Sequence, residues 1–169
     1  MGKTTAVLAL AQRDRRCVHL ESDILWRSEF NRPEGGYQDY RNLWLRMCKN
    51  IGQGGRPVVL YGSVTPDQFE PCPERRYLGS IHTLALVCEP EILAERLRSR
   101  PEWRATNSPD FIASMLRFNA WFLENAAQSE PAITLFDTTH AALDETCAAV
   151  LAWIRPRLEI EEMENLENG

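Results

Sequence analysis

No run in this sequence approaches the roughly 18 consecutive apolar residues that a membrane helix needs, and the amino end lacks the basic and apolar layout of a signal peptide. There is no C-x-x-C pair. Cys17, Cys48, Cys72, Cys88 and Cys147 are scattered, which argues against a zinc site and against a disulfide framework. Cys88 and Cys147 fall in apolar runs and read as small core residues. No His/Cys constellation suits a metal ion or a nucleophilic triad. An excess of basic residues is missing too: the net charge is -5, where a nucleic-acid binder carries a basic patch or stripe. Internal repeats, low-complexity blocks and interdomain linkers are all lacking. These absences point to a cytoplasmic protein without a membrane or nucleic-acid partner.

What remains is an ordinary composition, 44% hydrophobic and 25% charged over 169 residues. That length suits one domain with a substantial core, taken here as residues 1–158. The last eleven residues, Glu159 to Gly169, hold five Glu and read as a frayed acidic tail.

Along the chain, apolar strands alternate with amphipathic helices. Residues 3–13 form a helix with Val7, Leu8 and Ala11 at helical spacing. A short strand, 17–20, ends in Glu21-Ser22-Asp23. Residues 24–36 mix aromatic and charged side chains and close on Pro33-Glu34-Gly35-Gly36, a loop signal. The next helix, 37–52, has Tyr40, Leu43, Trp44, Met47 and Ile51 on one face. Strand 57–61 is continuously apolar, as expected of a strand buried on both faces of a parallel sheet, and runs into Gly62-Ser63. Residues 65–77 are irregular or a short helix. Strand 81–88 precedes a helix at 90–99, a polar loop to Pro109, a long helix at 109–125 and a last strand at 133–136. Asp137-Thr138-Thr139 follow, and the closing helix spans 143–154. Such alternation predicts an α/β fold: a parallel sheet with helices on both faces, three layers in all.

The residue pattern with the most chemistry is at the amino end. Gly2-Lys3-Thr4-Thr5 ahead of a helix is the second half of a P-loop, G-x-x-x-x-G-K-[ST]. In that motif backbone N–H groups and a helix start hold phosphates, the Lys meets the β/γ oxygens and the Thr hydroxyl binds Mg²⁺. The bland alternative is a solvated helix end. Glu21 and Asp23 lie beyond the carboxyl end of a strand, where ligands bind in open α/β sheets. Asp23 can orient and deprotonate an acceptor hydroxyl or, alternatively, cap the following turn. Arg96, Arg98, Arg100 and Arg104 cluster after a helix. Arg100 and Arg104 suit charge on a transferred phosphoryl group, and Arg98 suits a solvated helix end. Gly62 and Ser63 can admit substrate or simply turn the chain. Asp137, Thr138 and Thr139 can line a base pocket or cap the last helix. Trp26, Tyr37, Tyr40 and Trp44 can include a stacking partner for a substrate ring, with Trp44 the better core candidate. His19 and His82 read as strand residues.

In these stations, and in the run Glu95-Arg96-Leu97-Arg98-Ser99-Arg100, the sequence resembles the P-loop kinase family, which takes in nucleoside and nucleotide kinases and shikimate- and gluconate-kinase-like enzymes. The stations follow in the family's order along nearly the whole chain. The resemblance implies ATP and Mg²⁺ as cofactors and phosphoryl transfer to a small-molecule acceptor. It implies phosphate and Mg²⁺ binding by Gly2, Lys3, Thr4 and Thr5, with Thr4 as the metal ligand. Asp23 becomes the acceptor-side base, Glu21, Gly62 and Ser63 substrate neighbours, Arg100 and Arg104 parts of a lid around 100–109, and Asp137 to Thr139 neighbours of adenine. The departure is at the start, where the strand and first half of the P-loop are missing. The expectation is a truncated form of a longer kinase, with strands that leave a gap at the sheet centre. A non-catalytic nucleotide-binding protein or pseudokinase is the alternative. An NTPase switch is weaker, because no Walker-B-like Asp follows strand 57–61.

Overall fold

A computed structural model describes residues 3–101 and 106–167. The protein is mixed α/β, with five α-helices and four strands among the described residues: α1 (Lys3–Arg13), β1 (Val18–Glu21), α2 (Gln38–Gly52), β2 (Val58–Tyr61), β3 (Leu84–Val87), α3 (Pro90–Arg98), α4 (Pro109–Asn125), β4 (Thr134–Asp137) and α5 (Leu143–Glu167). The strands form two separate two-stranded sheets, β1 with β2 and β3 with β4. Both are parallel, with Val18 opposite Val58 and Leu84 opposite Thr134. The chain divides into two compact units. One holds the residues up to Ile81 and those from Ile154 onward, and the other runs from His82 to Trp153.

In the β1–β2 unit, α1 lies on β1 and α2 on β2. The buried stripe of α1 is Ala6, Val7 and Leu10. This corrects the face expected from Val7, Leu8 and Ala11, because Leu8 is 62% exposed. The spacing 6, 7, 10 continues to buried Asp14, so the stripe is helical but rotated. Helix α2 buries Tyr40, Trp44 and Leu45. Leu45 packs with Phe69 and Cys72, and Leu60, Val64, Leu78 and Ile81 lie around them. The stretch 65–77 is two short 3-10 turns, Pro66–Gln68 and Pro73–Tyr77. The first is closed by a reciprocal Thr65–Gln68 capping box.

In the β3–β4 unit, α4 covers one sheet face. Ala85 and Val87 pack with Phe122, Ala126 and Ile133, flanked by Phe118 and Trp121. A second cluster joins α3 to α4 through Ala94, Leu97 and Ile112. Ser108 starts α4 by accepting the Phe111 N–H at 3.2 Å, and Pro109 at the first position needs no partner for a missing N–H. Parallel pairing is as expected, but burial on both faces, expected of strand 57–61, is incomplete: β2 is half-buried along its length, and in the other sheet Leu86 is 45% and Leu135 38% exposed. Every strand of a two-stranded sheet is an edge, with a neighbour on one side only. Strand β3 is also shorter than read from the sequence, since Ile81, His82 and Thr83 precede it.

Helix α5 reaches Glu167, well beyond the end at 154 expected for the closing helix. Pro156 lies inside it. Proline costs one backbone hydrogen bond there but does not end the helix. Among the described residues no helix is long and apolar enough to cross a membrane.

One buried side chain ties α4 to the end of β3. The Asn119 amide donates to the Cys88 carbonyl at 2.9 Å and accepts the Cys88 N–H at 3.0 Å, satisfying both backbone groups as a neighbouring strand would. Asn119→Ala orphans both, at about 1–3 kcal/mol each. A fall in unfolding free energy of about 2–4 kcal/mol is expected by urea titration, with an unchanged m-value. A change below about 0.5 kcal/mol, the scale of neutral surface substitutions, contradicts this role for Asn119.

Candidate functional site

The carboxyl ends of β1 and β2 lie side by side, because Glu21 is opposite Tyr61 in the register. Beyond them the chain bends into a 3-10 turn at Ser22–Leu25 and into Gly62-Ser63. Ser22 is buried and Asp23 exposed. Two contacts fix this bend. The Tyr40 hydroxyl donates to the Ser22 carbonyl. A Cβ at position 62 would lie 2.8 Å from the Ser22 hydroxyl oxygen and 3.3 Å from its Cβ, closer than packed atoms allow. Gly62 therefore admits Ser22. The capping alternative for Asp23 does not apply: Glu21 is at the N-cap position, with no side-chain capping bond, and Asp23 is in the first turn. Ser63 is exposed.

Lys3, Thr4 and Thr5 begin α1 in this same unit. A lysine and two threonines at the start of an eleven-residue helix are the donor types that phosphate and Mg²⁺ require. Gly2 and Arg104 lie outside the described residues, as do residues 102–105 of the proposed lid.

The remaining sites are in the β3–β4 unit. Asp137 accepts from the Thr139 backbone N–H at 2.8 Å and from the Thr139 hydroxyl. These bonds hold its carboxyl below the usual carboxylate range. The Thr139 hydroxyl also accepts the Glu89 N–H at 2.9 Å, and the Thr138 hydroxyl donates to the Val87 carbonyl at 2.9 Å. Arg96 donates to the carbonyls of Thr138 and Thr139 at 3.0 and 2.7 Å. Arg96 thereby closes the turn after β4 against the turn after β3. The sequence grouped it only with a charge cluster. Helix α5 starts four residues beyond Thr139, so these residues fasten the strand ends rather than cap that helix. Arg100 is half-buried and Arg98 exposed.

The aromatic segment after β1 divides as its burial dictates. Trp44 is 2% exposed and belongs to the core, whereas Trp26 is 51% exposed. An open groove of about 630 Å³ lies against Trp26, bordered by Asn31, Arg32, Glu34 and Tyr37. The polar members of this rim went unread in the sequence, where no periodicity marks them. Among the described residues no three His, Cys, Asp or Glu gather in a way that could hold a metal ion. No family model matches the chain, and no curated protein matches it.

His19 is a sheet residue, as expected. Its Nε2 donates to the Asp14 carbonyl at 3.1 Å, which leaves Nδ1 to accept the Tyr61 hydroxyl at 2.8 Å. The two rings stack with centroids 5.8 Å apart. His82, in contrast, is exposed and outside β3. Burial pushes the His19 pKa down, against the opposing pull of Asp14. The unfolded chain therefore binds the His19 proton more readily than the folded chain. Stability from this residue is complete above about pH 6.5 and declines as pH falls from there through the lowered folded pKa. The urea midpoint is expected to be lower at pH 5.5 than at pH 7.5, with a smaller difference in His19→Gln. Equal pH dependence in the two proteins rules out His19 as the group responsible.

Proposed function

We propose that the protein is an ATP- and Mg²⁺-dependent phosphotransferase of the P-loop kinase kind, acting on a small-molecule acceptor. The observation that carries this reading is a coincidence within one unit. A helix that opens on Lys3-Thr4-Thr5 shares a unit with two parallel strands whose carboxyl ends bear Glu21, Asp23, Gly62 and Ser63. The parallel pairing of all four strands is compatible with the three-layered sheet architecture that goes with this reading.

Each residue then has a role set by its chemistry. Lys3 neutralises phosphate oxygens, and the Thr4 hydroxyl is the ligand for Mg²⁺, which supplies charge compensation for the transferred phosphoryl group. Asp23, exposed on a turn braced by Tyr40, accepts the proton of the acceptor hydroxyl. Glu21 and Ser63 border the acceptor. Arg100 and Arg104 stabilise charge on the group in flight. The resemblance alone assigns Asp137, Thr138 and Thr139 to the adenine; their side chains are engaged with each other and with Val87 and Glu89.

The test is phosphoryl transfer from ATP to a panel of nucleosides, nucleotides and sugars. Lys3→Ala and Asp23→Asn are each expected to lower the rate by about 10²-fold or more. Full activity in both variants rejects the reading. Binding of ATP·Mg²⁺ without turnover of any acceptor replaces it with a non-catalytic nucleotide-binding role.

A further inference from the structure

Trp26 has an unusual position for the largest apolar side chain. It is half exposed, yet it is held by two other rings. Tyr37 lies 5.1 Å away, tilted by 41°, and Tyr40 meets it edge-on at 5.2 Å. Tyr40 in turn packs edge-on against buried Trp44 at 6.5 Å. The indole is therefore anchored to the core through a chain of rings while much of its surface meets solvent. Exposed aromatic area held in one orientation loses little freedom when a flat ligand covers it.

The backbone is bent to complete the arrangement. Tyr37 adopts φ 63°, in the left-handed region, directly after Gly36 at φ 59°. A bulky side chain reaches this region only at a cost in strain. Arg41 braces the bend by donating to the Gly36 carbonyl at 2.6 Å, and the Tyr37 N–H bonds the Arg32 carbonyl at 3.2 Å. The strained turn is what brings the Tyr37 ring beside Trp26.

Around the indole, the side chains of Asn31, Arg32 and Glu34 border the groove. Among the described residues none of the three has a side-chain hydrogen bond or ion pair. Their groups cover complementary needs: the guanidinium fork donates to adjacent ring acceptors, the amide both donates and accepts, and the carboxylate accepts from an amino group. The groove's volume of about 630 Å³ is that of a small-ligand site. Glucose, whose hydroxyls both donate and accept, tests whether this rim reads a flat ring or hydroxyl groups alone.

We propose that Trp26, Tyr37, Asn31, Arg32 and Glu34 form a binding site for a flat hydrogen-bonding heterocycle of the nucleobase class, stacked on the Trp26 indole. The site needs neither ATP nor Mg²⁺ and stands apart from the phosphotransferase reading, so either can fail alone.

The experiment uses the full chain without ATP or metal. Adenosine, guanosine, cytidine, uridine, glucose and benzyl alcohol are titrated separately and followed by indole N–H shifts and calorimetry. At least one nucleoside is expected to bind saturably and to shift the Trp26 indole resonance, assigned by its loss in Trp26→Phe. Trp26→Ala is expected to weaken that binding about tenfold or more. Arg32→Ala, a change at an exposed position, is expected to weaken it about fivefold or more with the melting temperature unchanged. The proposal is overturned if no nucleoside binds below 10 mM, roughly the weakest affinity one stacked base supports. Equal or tighter binding of glucose or benzyl alcohol overturns it too, as does nucleoside binding that Arg32→Ala leaves intact.

Discussion

Parallel pairing of very short strands is the constraint on which this structure depends. Each ladder joins two strands of four residues, and a two-stranded sheet has little stability of its own in water. Two consequences follow directly. The connection between parallel strands must cross over the sheet, which places α2 between β1 and β2 and places α3 and α4 between β3 and β4. The missing neighbours must also be replaced by something. Apolar cover comes from α1 and α2 in one unit and α4 in the other. Polar cover comes from side chains that act as backbone surrogates, with Asn119 beside Cys88 and Arg96 beside Thr138 and Thr139.

Such surrogates explain why the strand ends of the two units differ in chemical character. After β4 the hydroxyls, the carboxylate and the guanidinium are bonded to one another and to backbone, so the turn is internally satisfied. After β1 and β2 the bend is fixed through a backbone carbonyl, by Tyr40, and through the close approach of Gly62 and Ser22. That way of fixing a turn leaves the neighbouring Asp23 side chain at the surface. One unit holds its strand-end turn through a network of side chains, whereas the other holds it through the Tyr40 hydroxyl and the Gly62–Ser22 contact, with Asp23 exposed beside them.

Much of the element order was legible in the sequence. Helix 109–125 was read to the residue, because Ser108 and Pro109 are strong start signals and the aromatic spacing is helical. The parallel arrangement was legible from alternation. Strand length was not: Ile81 and His82 continue the apolar run but lie outside the ladder, whose last bond runs from the Thr134 N–H to the Thr83 carbonyl. The buried face of α1 was misread because Leu8 outweighs Ala6 in hydrophobicity, while burial follows geometry. The end of α5 was placed too early since Pro156 and an acidic run both signal termination. The position of Glu21 and Asp23 at the end of β1 was legible from the sequence. The roles of Arg96 and Gly62 were not, because each depends on a contact with a residue distant in sequence. The rim of the Trp26 groove was hidden for the same reason, since left-handed backbone at Tyr37 leaves no mark in composition.

The fit of Ser22 against Gly62 also bears on how the sequence can change over time. Forty residues separate them along the chain, yet what position 62 can carry depends on what stands at position 22. Any side chain at position 62 must enter space that Ser22 already fills, so a lineage that acquires one must first shrink position 22. The reverse order passes through a clash at the bend that carries Asp23. In chains descended from a common ancestor the two positions should therefore compensate, a larger residue at 62 going with a smaller one at 22. The historical record of that correlation is a trace of the bend itself, kept where neither residue takes part in chemistry.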